Sequence, residues 1–423
     1  MRRILVPALT IAIAAGCGGD SDGSNPGNNG ITPPNGSNVV ALLVDPGPIG
    51  ASGSPVGYVN GAFVTVTVCV PGTSNCQDID HVLVDTGSSG LRLLANDGKA
   101  GGKLSLPLPP LQNSAGNPIA QCAQFLDGFT WGPVRLADVR LGGEKAGGIS
   151  IQVISQADFA VPASCASGGK DEDTLEGSSG LQTNGILGIG LFRQDCGEAC
   201  TVDPALGNPG LYFKCQGSGQ CSATALALAN QVSNPVASFA ADNNGVIIEL
   251  PLVPSTGAPS TTGSLVFGIG TQSNNGLGSA TVFAVDGAGT LISVFPPNGS
   301  TYSGSFIDSG SNGIFFLSSS STGIPECPEL NGFYCPANTL SLSAQIRGAG
   351  GTPTEQVAFS VASARNLFAS NNTAFANLGG TGGGPPGQDQ SFDWGLPFFF
   401  GRNVYTAIEG ASTPGGPGPW FAY

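Results

Sequence analysis

Residues 81–90 read HVLVDTGSSG. Val82, Leu83 and Val84 form an apolar run of the kind that builds a buried strand, and the run ends on an acid, a hydroxyl residue and a glycine: Asp85, Thr86 and Gly87. A carboxylate delivered to the end of a buried strand costs free energy unless it is paired or used. The pattern returns later in the chain, where VLVDTGSSGLRLL at 82–94 is echoed by SFIDSGSNGIFFL at 305–317. Each copy is followed at similar distance by an apolar pair and a glycine, Ile186-Leu187-Gly188 and Phe399-Phe400-Gly401. Two homologous halves with one acid each, Asp85 and Asp308, is the simplest reading of the repeat.

Around these stretches the composition points the same way. The chain has 423 residues with 67 Gly and 32 Pro, only 10% charged residues and 40% hydrophobics, enough to bury a core and suited to short strands joined by turns. An all-β protein is expected. Ala62 to Val68, AFVTVTV, alternates with period two as a half-buried strand does, and the best helix candidate is Ala223 to Gln231, ATALALANQ, stopped by Asn234-Pro235. The formal net charge of −14 repels phosphates, so a nucleic-acid partner is excluded.

At the N-terminus Met1-Arg2-Arg3 precedes the apolar run Ile4 to Ala15, which reads as a signal peptide over residues 1–16. Ala14-Ala15-Gly16-Cys17 resembles a bacterial lipobox, which implies acylation of Cys17, anchoring to a membrane of the bacterial cell envelope and, with Gly18 following the cysteine, sorting to the outer membrane. The alternative is an ordinary secretory signal cut near Ala15, giving a secreted or periplasmic protein. Residues 18–38 have almost no apolar side chains and read as a flexible tether, so order is expected from Val39. The expected division is a lipidated tether over 17–38, a first lobe over 39–272 and a second over 273–423.

Setting Cys17 aside, ten cysteines remain, an even number in an exported chain, which reads as disulfides. Nearest-neighbour closure suggests Cys69 with Cys76 and Cys327 with Cys335, while Cys196/Cys200 and Cys215/Cys221 could nest. The only histidine is His81 and there are no paired CxxC motifs, so no metal site is expected.

The two turns, Asp85-Thr86-Gly87-Ser88 and Asp308-Ser309-Gly310-Ser311, each followed by an apolar-apolar-Gly segment, resemble the signature of pepsin-like aspartic proteases over roughly residues 40 to 410. More narrowly, the chain looks like an uncharacterised family of bacterial exported pepsin-like lipoproteins. The resemblance implies a bilobal all-β fold with the cleft between the lobes, a catalytic pair made of Asp85 and Asp308, and no cofactor. It also implies that Thr86 and Ser309 cross-brace the turns, that Ser88 and Ser311 hydrogen-bond the outer carboxylate oxygens, and that Gly87 and Gly310 face the substrate. The stretch QFLDGFTWGPVRLADVRLGG at 124–143 resembles the flap hairpin of that family, placing Phe125, Asp127 and Gly128 over the substrate. Phe125 stands where pepsins carry a tyrosine and Arg92 where they carry its tryptophan partner. The plain alternative is that Phe125 and Trp131 are hairpin packing residues.

Other chemistries fail. His81, the single histidine, sits on the strand leading to Asp85, so a serine triad has no base. The glycine cluster GGTGGGPPGQ at 379–388 lacks the Lys-Ser/Thr of a phosphate loop. Repeated turns bring two acids into contact and leave no room for the separated carboxylates of a glycosidase. Lys170-Asp171-Glu172-Asp173 reads as a solvated loop. The expected function is a monomeric, lipid-anchored aspartic endopeptidase acting on peptides or proteins. The alternative is an inert protein on the same scaffold that holds peptides or glycans in its cleft.

Overall fold

The computed structural model describes residues 30–98, 101–126, 128–177, 180–217, 219–296, 299–382 and 391–423. The leader, Cys17 and Asp127 lie outside the described residues. Strands dominate, and the α-helices among the described residues are the short segments Ala163–Ala166, Ser319–Thr322 and Ala364–Phe368. None is long and apolar enough to cross a membrane.

The same three-strand unit is built twice. In the first half Cys76–Asp85 runs parallel to Gly185–Ile189, with Val84 opposite Leu187 and Asp85 opposite Gly188, and Ser89–Leu94 returns antiparallel to that same strand. In the second half Ser300–Ile307 runs parallel to Asp393–Trp394, with Ile307 opposite Trp394, and Ile314–Phe315 returns antiparallel. Each unit therefore wedges one strand between the two arms of its aspartate turn.

This register corrects one expectation. The segment beside the Asp308 turn is Asp393-Trp394-Gly395, not Phe399-Phe400-Gly401. Gly395 does there what Gly188 does in the first half: a Cβ on Gly188 would lie 2.8 Å from Ser88 Oγ, and one on Gly395 would lie 2.1 Å from Gly313 O. Phe399 and Phe400 are buried in the core instead. The apolar-apolar-Gly pattern fails at the true site because its first position is an acid.

The halves are joined by a shared sheet. Gly245–Leu250 pairs with Thr261–Phe267 on one side and with Arg402–Ala407 on the other, and Thr261–Phe267 pairs in turn with Val39–Val44. Residues from both expected lobes thus meet in one layer. In the first lobe the alternation predicted for 62–68 holds from Val64 on, with Val64, Val66 and Val68 buried and Thr65 exposed, while Phe63 is buried as well. Each such valine stabilises the fold by about 2 kcal/mol through the apolar area it removes from water. The second lobe is filled by aromatics, among them Phe295, Phe316, Phe392, Trp394 and Phe398.

Two further expectations change. Order begins before Val39: the Thr32 N–H donates to Glu249 Oε2 at 2.6 Å, and the buried Asn38 side chain donates to Phe267 O at 2.9 Å. The helix expected over 223–231 is absent. Gln220–Ala223 is a strand paired with Tyr212–Gln216, Thr224 N donates to Tyr212 O, Leu226 N donates to Cys200 O, and only Leu228–Asn230 forms a 3-10 turn. Backbone donors satisfied by neighbouring segments override the helix propensity of an alanine-leucine run.

Among the described residues five disulfides are formed: Cys69–Cys76, Cys122–Cys165, Cys196–Cys200, Cys215–Cys221 and Cys327–Cys335. The nested arrangement of the middle four cysteines is not used.

Candidate active site

The two aspartate turns meet where the halves face each other, and each braces the other. Thr86 Oγ1 donates to Ile307 O at 3.1 Å and accepts from Ser309 N at 2.9 Å. Symmetrically, Ser309 Oγ donates to Val84 O at 2.7 Å and accepts from Thr86 N at 3.2 Å. All four bonds cross between the halves, so the hydroxyl beside each acid fixes the other acid's strand.

The carboxyl groups are thereby brought together. Asp85 and Asp308 are 7% and 8% exposed, and their side chains hydrogen-bond each other. Gly87 N donates to Asp85 Oδ1 at 2.8 Å and to Asp308 Oδ1 at 3.2 Å, while Gly310 N donates to Asp308 Oδ1 at 2.8 Å. Ser88 Oγ donates to Asp85 Oδ2, and Ser311 Oγ donates to Asp308 Oδ2 at 2.8 Å. Glycine is required at both turns: a Cβ on Gly87 would sit 2.7 Å from Asp308 Cγ, and one on Gly310 would sit 2.7 Å from Asp85 Oδ1. Burial, then the neighbouring Asp85 charge and then that of Asp393 push the Asp308 carboxyl well above the usual carboxylate range.

The expected flap is a hairpin of Ile119–Gln124 and Gly128–Leu141, closed by the bond from Phe125 N to Gly128 O at 2.8 Å. Phe125 is half-buried, and the Arg92 guanidinium lies over its ring, 5.7 Å from the centroid. A cation–π contact thus links the two positions where the pepsin pattern has tryptophan and tyrosine. Gly128 is buried against the short strand Lys170–Asp171, where a Cβ would meet Lys170 O at 2.6 Å. Its glycine therefore serves strand packing.

That strand also corrects the reading of Lys170–Asp173 as solvated. Glu172 and Asp173 are buried, and Asp173 Oδ1 accepts from Trp131 N at 2.8 Å. Burial, with the Asp171 charge adding to it, pushes the Asp173 carboxyl up to about 7. Trp131 is fully buried and donates its indole N–H to Phe159 O at 3.0 Å, so of the two flap aromatics it is the packing residue.

Beneath the flap lies a buried polar network that the sequence did not single out. Arg92 Nη2 donates to Asp195 Oδ2 at 3.2 Å, Tyr212 OH donates to Asp195 Oδ1 at 2.5 Å, and Gln121 Nε2 also donates to Asp195. Burial raises the Asp195 carboxyl to about 6 against the pull of Arg92 and Tyr212. Asp393, beside Ser311, was missed as well. No residue-type pattern marks either acid, since both come to the site through tertiary pairing.

A bilobal β structure with one aspartate turn per half, cross-braced at the junction, is a pepsin-like fold. Over residues 34–423 the chain matches the family described as "Protein of unknown function (DUF3443)", and it belongs to that family. Among solved structures it is similar to the crystal structure of aspartic proteinase from Irpex lacteus, with 17% sequence identity, a TM-score of 0.49, and coverage of 91% of this chain and 96% of that one. No curated protein matches the chain.

Proposed function

We propose that the protein is an aspartic-type endopeptidase that hydrolyses peptide bonds through Asp85 and Asp308. The observation that carries this reading is the pair itself: two buried carboxyls hydrogen-bonded to each other, each with its own serine and glycine donors. One carboxylate takes a proton from an attacking water while the other gives its proton to the scissile carbonyl oxygen. The protons then return as the bond to nitrogen breaks, and no covalent intermediate forms. Ser88 and Ser311 donate to the outer oxygens, and the Gly87 and Gly310 amides donate to the inner ones. Asp85→Asn and Asp308→Asn should each reduce cleavage of a denatured protein substrate by at least about 1,000-fold, with the circular dichroism spectrum unchanged. An Asn variant that cuts at the wild-type rate would sink the proposal.

A second reading has one observation in its favour. Phe125 brings no hydroxyl to the flap and is held by Arg92, so the hydrogen bond that a tyrosine would supply is missing. On that reading the cleft binds peptides or glycans without cutting them. A wild type that binds a statine-type peptide yet cleaves nothing from pH 3 to 7 would select it.

We also propose that Cys17 carries lipid and that the protein is held to the bacterial cell envelope, a placement with which the five disulfides agree. Cys17→Ala should abolish partitioning into detergent. Unaltered partitioning would refute the anchor.

A further inference from the structure

The Asp308 turn has a neighbour without counterpart in the first half. Ile186 sits opposite Leu83 and Arg92 in the first unit, and Asp393 holds the same register position in the second, opposite Phe306 and Phe315. Phe392 and Trp394, on either side of it, bury against Phe316 and Phe398 in the second lobe's core. Strand alternation turns Asp393 to the opposite face, toward the dyad. It is 5% exposed, its Oδ1 has no hydrogen-bond partner, and the Ser311 hydroxyl that donates to Asp308 also bears on its carboxyl.

The charges that act on Asp393 are acidic. Asp308 follows the strand Ser300–Ile307 on one side, and Asp85 stands across the junction of the halves. The strand on its other side offers Ile314 and Phe315, neither of them charged. Among the described residues no basic group acts on it, and burial followed by the Asp85 charge holds its carboxyl well above the usual range.

We propose that Asp393 is a positioning residue for the dyad, a third carboxyl whose charge, once it ionises, keeps the shared proton on Asp85 and Asp308 and extends the working range toward neutral pH. The inference rests on the peptidase reading above. Three buried acids lose their protons in succession, each loss making the next harder. The first loss leaves the dyad in its one-proton working form. The second comes from Asp393, because the Gly87 amide reaches both dyad carboxyls whereas Asp393 meets Asp308 through the Ser311 hydroxyl, so a charge on Asp393 and one on the dyad repel less than two charges within the dyad. The resulting anion beside Asp308 then opposes loss of the last, catalytic proton.

The test is the pH dependence of kcat/KM on a chromogenic peptide, paired with a carbon-13 NMR titration of aspartate carboxyls. In Asp393→Asn the alkaline limb should move down by about one pH unit while the acidic limb stays in place. Asp393→Glu should return part of the shift. Asp393→Ile places the first half's residue type at this register position and guards against misfolding of the amide variant; its alkaline limb should also fall. In the NMR titration the dyad signal should titrate at lower pH in the Asn and Ile variants, whether or not the protein turns over substrate. Alkaline limbs and dyad signals that superimpose on the wild type in both variants would overturn the proposal. A wild type that cleaves nothing would fail the peptidase reading alone, since the NMR titration would still decide whether Asp393 couples to the dyad.

Discussion

Arg92 sits at the crossing of two demands. Its side chain is 3% exposed, and it donates Nη1 to Ser89 O at 3.0 Å and Nη2 to Asp195 at 3.2 Å while facing the Phe125 ring. It therefore ties the strand that follows the Asp85 turn to the base of the flap. A buried charge that loses its partner is left desolvated and uncompensated, at a cost of about 3–5 kcal/mol. Arg92→Leu should accordingly destabilise the fold by about 3 kcal/mol at pH 7.5. The loss should be smaller at pH 4.5, where Asp195, at about 6 in the intact protein, takes up a proton and needs no cation. Asp195→Asn in the Leu background should recover most of the stability at pH 7.5. Urea unfolding at the two pH values measures this, and equal losses at both would show that Asp195 is not the group Arg92 serves. The joint change at Arg92 and Phe125 was legible in the sequence because the aspartate turn fixes one position and the flap glycines the other. Asp195, Gln121 and Tyr212 were not legible, because no spacing links residues that meet only through folding.

Among elements, those specified by their own residues were readable and those specified by a partner were not. The alternation of 62–68 and the strand running into Asp85 carry their burial pattern in the side chains themselves, and both form as read. The segment 223–231 has the residues of a helix but spends its donors on Tyr212 O and Cys200 O. Residues 32–38 look like tether, yet they dock because Glu249 and Ser264, more than two hundred positions away, meet the backbone of Thr32. The second wedge strand shows the same limit at the site. Its glycine had to be found by the 2.1 Å approach of a would-be Cβ to Gly313 O, since the acid at 393 hides it from an apolar pattern. A rule that was sound for the first half slid to a buried phenylalanine pair in the second, and the residue that broke the rule is the one that stands beside the dyad.

Across the whole molecule the buried acids set how stability responds to pH. Asp173 and Asp195 are raised to about 7 and about 6, and Glu249, Asp308 and Asp393 are raised as well, in each case chiefly by burial. In the unfolded chain such carboxyls titrate near about 4. Between about pH 4 and 7 the folded protein therefore holds protons that the unfolded chain has released, and by linkage its stability falls as pH rises. The contribution of these groups is complete below about pH 4 and is lost as pH climbs through their folded values. His81, raised mainly by its bond to Asp45, acts in the same sense: its contribution is present below about pH 6.5 and disappears as pH rises through its folded value. Asp80, Asp138, Asp286 and Glu329 are lowered, so their stabilisation is present above about pH 4 and fades only as pH falls through their depressed values. They do not offset the trend between pH 4 and 7. A net charge of −14 adds self-repulsion that protonation relieves. The melting temperature should thus be higher at pH 4.5 than at pH 7.5, by at least about 5 °C. Scanning calorimetry at constant ionic strength reads this directly. In Asp195→Asn the difference should shrink, because one of the raised carboxyls no longer titrates. A melting temperature that is flat, or that rises, between pH 4.5 and 7.5 would mean that these carboxylates are better solvated in the folded protein than their burial implies.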